Sequence, residues 1–175
     1  YFPDRYDDPR WERPKYILVW GKNPIYSNPD GFFGHALVDL MKLGSKLIVV
    51  DPQVTWLAAH AEYHLQLRPG TDTAVAMALC NVIISEDLYN HEFVEKWVYG
   101  FNEFAECVSP WTPEYAGEIS WVDPDALRGA ARAFATNSPS SALWGLSIDT
   151  MTNGVQAGHT FLALCALCGY MDIPG

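Results

Sequence analysis

Two hydrophobic periodicities take turns along the chain. Tyr16-Ile-Leu-Val-Trp20 and Leu47-Ile-Val-Val50 are unbroken apolar runs, each closed by a turn residue, which predicts strands buried on both faces as in a parallel sheet. Between them Phe33, Ala36, Leu37, Leu40 and Met41 recur at i, i+3, i+4, i+7 and i+8, the spacing of one apolar helix face, and Gly44 marks its stop. Strand, helix and strand thus complete a βαβ unit between Tyr16 and Asp51, a crossover expected to be right-handed. A short helical stretch at Thr55–Ala61 leads to a third strand, Tyr63-His-Leu-Gln-Leu67, and the turn Arg68-Pro-Gly-Thr-Asp72. Thr71 or Asp72 is expected to cap the next helix, whose inward stripe is Val75, Ala78, Leu79, Val82 and Ile83.

Helix-start signals then follow one another: Asn90 before HEFVEKWVY, Thr112-Pro113 before EYAGEI and Asp123-Pro124 before DALRGAARAFA. Ser141-Ala-Leu-Trp-Gly145 reads as a returning strand. Asn153 is the expected cap of a last helix, GVQAGHTFLALCALC, apolar on nearly every side and therefore expected to be covered. The pattern predicts an α/β domain, Rossmann-like and three-layered, with a mostly parallel sheet and a helix-rich second half spanning 16–175. Residues 1–15, which mix Pro, charge and aromatics without a period, read as a lead-in packed on a neighbouring domain.

Composition narrows the function classes. A hydrophobic content of 49% supports a real core, and a net charge of −10 has the wrong sign for gripping nucleic acid or anionic lipid. Four cysteines (Cys80, Cys107, Cys165, Cys168) are too few and too irregular for a disulfide scaffold, so reduced thiols are expected. The charge-free stretch Thr150–Met171 has an unbroken apolar run only from Phe161 to Cys168, so it reads as a buried helix rather than a membrane span. With Tyr1 at one end and a loop-like Asp172-Ile-Pro-Gly175 at the other, the chain reads as a piece of something larger.

Ligands of open parallel sheets sit beyond the carboxyl ends of the strands, which directs attention to Trp20–Asp30, Asp51–Thr55, Arg68–Asp72 and Gly145–Gln156. Gly21 permits close backbone approach, Asn23 supplies an amide, and a strand-to-helix turn presents N–H groups to an anion such as a diphosphate. Asp51 ends the second strand, where nucleotide folds place a carboxylate against ribose hydroxyls, and Asp72 could accept from guanine N1–H and N2–H2. Lys22 and Arg68 are the side-chain cations available to offset these carboxylates. The same residues are also ordinary turn and cap formers. Neither GxGxxG nor GxxxxGK[ST] occurs, which disfavours an ordinary dehydrogenase or a P-loop protein. Cys165-x-x-Cys168 lies inside an apolar helix and reads as core packing, the five His match no metal spacing, and His159 reads as a satisfied interior residue. Trp97, Trp111, Tyr115 and Trp121 read as interhelical packing.

Four blocks in order, WERPKYILVWGKNP, GSKLIVVDPQVTWLA, LRPGTDTAVAMALCNVIISEDLYNHEFVEKW and WGLSIDTMTNGVQAGHTFLALCALCGYMDIPG, resemble the molybdopterin oxidoreductases of the dimethyl sulfoxide reductase family. The resemblance runs from Glu12 to Gly175 and implies the third domain of such an enzyme, which holds one of two molybdopterin guanine dinucleotides around molybdenum or tungsten. It implies dinucleotide contacts from Trp20, Gly21, Asn23 and Pro24, a second loop at Asp51, Gln53 and Thr55, and a guanosine-facing turn at Gly70, Thr71 and Asp72. Ser147 and Asn153 fall in the stretch that approaches the pterin. A [4Fe–4S] cluster belongs to the parent enzyme in this reading and not to these residues, which also hold no metal ligand and no catalytic side chain. Implied partners are the remaining domains of the parent and electron-transfer subunits, with no nucleic acid and no membrane insertion. The parent would be a prokaryotic cytoplasmic enzyme or an exported periplasmic or cell-surface one. The rival reading is a stand-alone α/β nucleotide-binding or interaction module without catalytic activity.

Overall fold

The computed structural model describes residues 9–27 and 31–173. Its sheet has four parallel strands, β1 (Tyr16–Trp20), β2 (Lys46–Val50), β3 (Tyr63–Leu65) and β4 (Ser140–Trp144), in the order β3-β2-β1-β4. β1 is buried at all five positions, as its unbroken apolar run requires. The chain moves outward from β1 to β3 and then returns to place β4 on the other side of β1, so the strand order reverses between β1 and β4. That reversal opens a crevice at the carboxyl ends of these two strands.

Helices cover both faces. After the four-residue α1 (Pro24–Ser27), α2 (Phe32–Lys42) and the short α3 (Trp56–Ala59) bury Leu37, Leu40, Leu57 and Ala58 against Ile17, Val19, Leu47 and Val49. The opposite side chains of the same strands, Tyr16, Leu18, Trp20, Ile48 and Val50, face the larger core. That core is built by α4 (Asp72–Ser85), α5 (His91–Trp97), α6 (Phe101–Val108), α7 (Pro113–Ser120), α8 (Pro124–Thr136) and α10 (Gly154–Leu167), while the four-residue α9 (Leu146–Asp149) follows β4. Alternation along each strand therefore divides the domain into two unequal cores separated by one sheet.

The start signals act as capping chemistry predicts: Asn90, Thr112 and Asp123 accept from the backbone N–H groups of Phe93, Tyr115 and Asp125. Other expectations need correction. Helix α6 is not announced by a periodic run; Gly100, at φ +78°, turns the chain into it. Neither Thr71 nor Asp72 caps α4 through its side chain, because the Thr71 hydroxyl donates instead to the Arg68 carbonyl and Asp72 lies in the first helical turn. Asn153 occupies the cap position of α10 without a capping bond. Helix α10 is not covered on all sides, since Val155, Gln156, His159 and Leu162 form an exposed stripe, which also removes His159 from the interior. Residues 1–8 of the expected lead-in and Asn28–Asp30 lie outside the described residues. The stretch just before β1 is attached to this domain: Ser45 Oγ donates to the Pro14 carbonyl at 2.6 Å, and Trp11 packs on the smaller core.

Cys80, Cys107, Cys165 and Cys168 are free thiols. Cys80, Cys165 and Cys168 are buried in the larger core, where desolvation pushes the Cys165 thiol up to about 12, so these are packing residues with no thiolate character. No group of His, Cys, Asp and Glu among the described residues has metal-ligating geometry, and no helix among them is long and apolar enough to cross a membrane.

Candidate functional site at the carboxyl ends of the strands

Three cross-links hold the strand-end loops together. Strands β1 and β4 both end in Trp-Gly, in register as Trp20↔Trp144, and Gly145 N–H donates to the Trp20 carbonyl at 2.9 Å. Gly21 has φ +57°, and a methyl group on it would strike the Ser147 side chain; one on Gly145 would strike the Gly21 carbonyl. Glycine is favoured at Gly21 by its positive φ and at Gly145 by the backbone of the β1 loop. In that space the Ser147 hydroxyl donates to the Gly21 carbonyl at 2.8 Å, the first cross-link.

The second joins β1 to the start of α4. The Trp20 indole N–H donates to Asp72 Oδ1 at 2.8 Å, with Trp20 1% and Asp72 6% exposed. Burial pushes the Asp72 carboxyl above the usual carboxylate range, and the indole bond pulls against that shift. Phe161 of α10 sits edge-on to both Trp20 and Trp144, with centroids at 5.9 and 4.9 Å, and fixes the two indoles beneath the crevice. The third cross-link runs from Asn153 Nδ2 to the Gly70 carbonyl at 3.4 Å, tying the start of α10 to the β3–α4 turn. Two helix N-termini, of α4 and α10, thereby share one end of the domain with the carboxyl ends of the strands.

Two features of this end are open. The buried Asn23 Oδ1 has no hydrogen-bond partner among the described residues, although Asn23 lies one residue beyond Lys22 on the β1 loop and Pro24 starts α1 behind it. Gly70, at φ +85°, has nothing within 4 Å of where a side chain would begin. The β2 loop is different. Asp51 Oδ1 accepts from Gln53 N–H at 2.8 Å, and Thr55 Oγ1 caps α3 through Ala58 N–H at 3.1 Å, so these polar groups close their own turn. Of the two cations expected to offset these carboxylates, Lys22 places its Nζ over the Phe33 ring and Arg68 its guanidinium over the Trp121 ring. Sequence reasoning placed Gly145 in a candidate stretch but not among the site residues; the repeated Trp-Gly closing both strands was the signal that would have singled it out.

A family model described as molybdopterin oxidoreductase matches residues 7–175. The chain belongs to that family. It is 43% identical over 153 residues to an acetylene hydratase of Syntrophotalea acetylenica, covering 87% of this chain and 21% of that protein. It is 32% identical over 158 residues to formate dehydrogenase H of Escherichia coli, covering 90% of this chain and 22% of that protein. The solved acetylene hydratase of Pelobacter acetylenicus superposes with a TM-score of 0.86 at 39% identity, over 92% of this chain and 22% of that one. The chain therefore spans about a fifth of the length of these relatives. Membership implies a molybdopterin cofactor carrying molybdenum or tungsten.

The residues at the β1–β4 crevice suit such a group. Gly70 leaves open space beside the β3–α4 turn, whereas the space beside Gly21 and Gly145 is filled by the Ser147 side chain and the Gly21 carbonyl. The Asn23 amide presents a buried, unpartnered polar end whose oxygen and nitrogen exchange by rotation about its last side-chain bond. Backbone N–H groups at the starts of α4 and α10 add an electropositive rim.

Proposed function

We propose that this chain is the part of a larger molybdenum or tungsten enzyme that holds one molybdopterin guanine dinucleotide. The observation that carries the reading is the set of three cross-links, Trp20–Asp72, Ser147–Gly21 and Asn153–Gly70, at the point of strand-order reversal, with the unpartnered Asn23 oxygen on the same β1 loop. The bound metal–pterin group supplies the redox or Lewis-acid chemistry; these residues bind and orient it. Trp20–Pro24 lie against the diphosphate, with the Asn23 amide and loop N–H groups as donors, and Gly70-Thr71-Asp72 face the guanosine. Asp51, Gln53 and Thr55 shape the β2 loop beside it. Residues 1–15 lead in from the preceding part of the enzyme, and 16–175 form the dinucleotide-holding unit, with the other domains, electron-transfer subunits and the [4Fe–4S] cluster lying outside it.

Asp72 is the base-reading residue in this proposal. A carboxylate has about four lone-pair sites, and one is occupied by the Trp20 indole, leaving acceptors for both guanine N1–H and N2–H2. The burial of Asp72 and its bond to Trp20 favour a second role, that of a structural anchor for the indole. Asp72→Asn separates the two, because the amide oxygen still accepts from Trp20 while its NH2 confronts the guanine donors. Molybdenum, tungsten and guanine content of the purified full-length enzyme is the readout. Loss of guanine at unchanged folding stability supports base recognition, whereas full loading after stringent dialysis leaves only the anchor.

A further inference from the structure

Charge is distributed very unevenly along the chain. Residues 86–118 contain eight acidic residues and one basic residue, Lys96, so −7 of the net −10 falls within this segment. Helices α5 and α6 are its centre. Lys96 is engaged by Glu92 at 2.6 Å, and Glu95, Glu103 and Glu106 form no ion pair among the described residues while standing exposed on the two helices. The end of α5 and the linker after it carry the two most exposed large aromatics among the described residues, Trp97 at 75% exposure and Tyr99 fully in solvent.

These rings stand on a fixed base. Val94 and Val108 are buried in the larger core, and Tyr89 packs on Phe101 with centroids at 4.8 Å. The inward positions of the segment thus hold it in place, while Trp97 and Tyr99 gain nothing from packing within the domain. An aromatic centre in an acidic rim has the composition of a protein interface that attracts a cationic partner. Arginine fits it best, since a guanidinium stacks on an indole or phenol ring and bonds a neighbouring carboxylate. The domain already makes such a contact within itself, with Arg68 over Trp121 at 5.4 Å. Nucleic acid and anionic lipid are repelled by the same field, and so is a second copy of this face.

We propose that the α5–α6 surface centred on Trp97 and Tyr99 is a docking site for a separate protein that presents an arginine-bearing basic patch. Asn90, at the start of α5, bonds through its N–H to the carbonyl of Leu167 at the far end of α10. That 14-residue helix spans about 21 Å, so a partner docked there leaves the strand-end crevice open. The inference does not depend on the cofactor reading.

The test uses full-length protein and a fluorescent arginine-rich peptide as the probe, with a lysine-for-arginine peptide beside it. Paired variants are Trp97→Ala with Tyr99→Ala, Glu103→Gln with Glu106→Gln, and a control of equal charge change, Glu12→Gln with Asp39→Asn. The first two pairs are expected to weaken arginine-peptide binding about fivefold or more and the control less than about twofold, with arginine preferred to lysine. The glutamate effect should shrink at about 0.5 M salt while the aromatic effect persists. Equal losses from all three pairs, or none from the aromatic pair, would overturn the proposal. So would preferential binding to phosphatidylglycerol vesicles. If the fluorescence lost on Trp97→Phe is inaccessible to acrylamide in the full-length protein, another domain of the same polypeptide covers the ring and the proposal fails.

Discussion

The loop after β2 and the paired loops after β1 and β4 lie at the same end of one sheet and look alike as sequence, yet they spend their polar groups differently. The Asp51 and Thr55 side chains accept from backbone N–H groups of their own turn. Gly21, Gly145 and Ser147 bind two separate chain segments together, and Asn23 is left with an unpartnered buried atom. Turn-forming residues that complete their own hydrogen bonds are explained by local structure; those that lock distant segments and leave a valence open have capacity for a ligand. In the proposed reading the β1–β4 side is the binding half of the crevice and the β2 side its frame.

The largest test of that distinction is at Gly145. Ala there drives a methyl group into the Gly21 carbonyl, where backbone on both sides has no room to yield, and is expected to cost about 3 kcal/mol or more in denaturant unfolding. Gly70→Ala meets no atom and is strained only through its φ of +85°, so it should cost about 1 kcal/mol. If the two substitutions cost the same, close approach of the β1 and β4 loops is not what fixes this end of the domain.

Next in size is Trp20→Phe, which removes the donor to a buried carboxylate and should destabilise by about 2–3 kcal/mol. Asp72→Asn keeps an acceptor for the indole and should cost less than about 1 kcal/mol. A double-mutant cycle of Trp20→Phe with Asp72→Ala, which removes the acceptor, reads their coupling directly. No coupling would mean that the Trp20–Asp72 bond contributes nothing and that Asp72 is held by its helix alone.

Much of this was legible in sequence because it follows from periodicity. Continuous apolar runs marked the central strands, and Asn90, Thr112 and Asp123 announced three helices through cap chemistry that depends on one residue and its neighbours. Asp72 was legible as a candidate but not in its pairing, because its partner Trp20 lies 52 residues away and only the returning fold brings them together. Trp97 and Trp121 were expected in interhelical packing and are exposed instead. Aromatic content alone carries no facing; in α5 the buried position is taken by Val94. Asn153 and Thr71 do stand at the cap positions, but the Arg68 carbonyl of the preceding turn and the distant Gly70 carbonyl claimed the side chains that capping would have used.

A smaller effect separates frame from binding half by function. Thr55→Ala deletes the cap of α3 and should cost about 1 kcal/mol without altering cofactor content. Asn23→Ala removes an oxygen that bonds nothing among the described residues, so folding stability should be unchanged while molybdenum and guanine content falls. The opposite assignment of losses would exchange the roles of the two loops.

The smallest expected effect is a pH dependence at Asp72. Its folded-state carboxyl titrates above the ordinary value of 3.8 because burial disfavours the anion. Between the unfolded and folded values the native state therefore binds more protons than the unfolded chain, so this residue's contribution to stability is greatest below 3.8 and declines as pH rises through the raised value. Glu62 and Glu86, lowered by hydrogen bonds from Lys46 and Arg132, act in the opposite direction: their contribution is present above 4.5 and is lost on acidification through their depressed values. Subtracting the stability profile of Asp72→Asn from that of the parent chain cancels the glutamates and isolates Asp72. The difference should fall with rising pH from about 4 and then level off. A difference that rises over this range would mean that the Trp20 bond outweighs burial at Asp72.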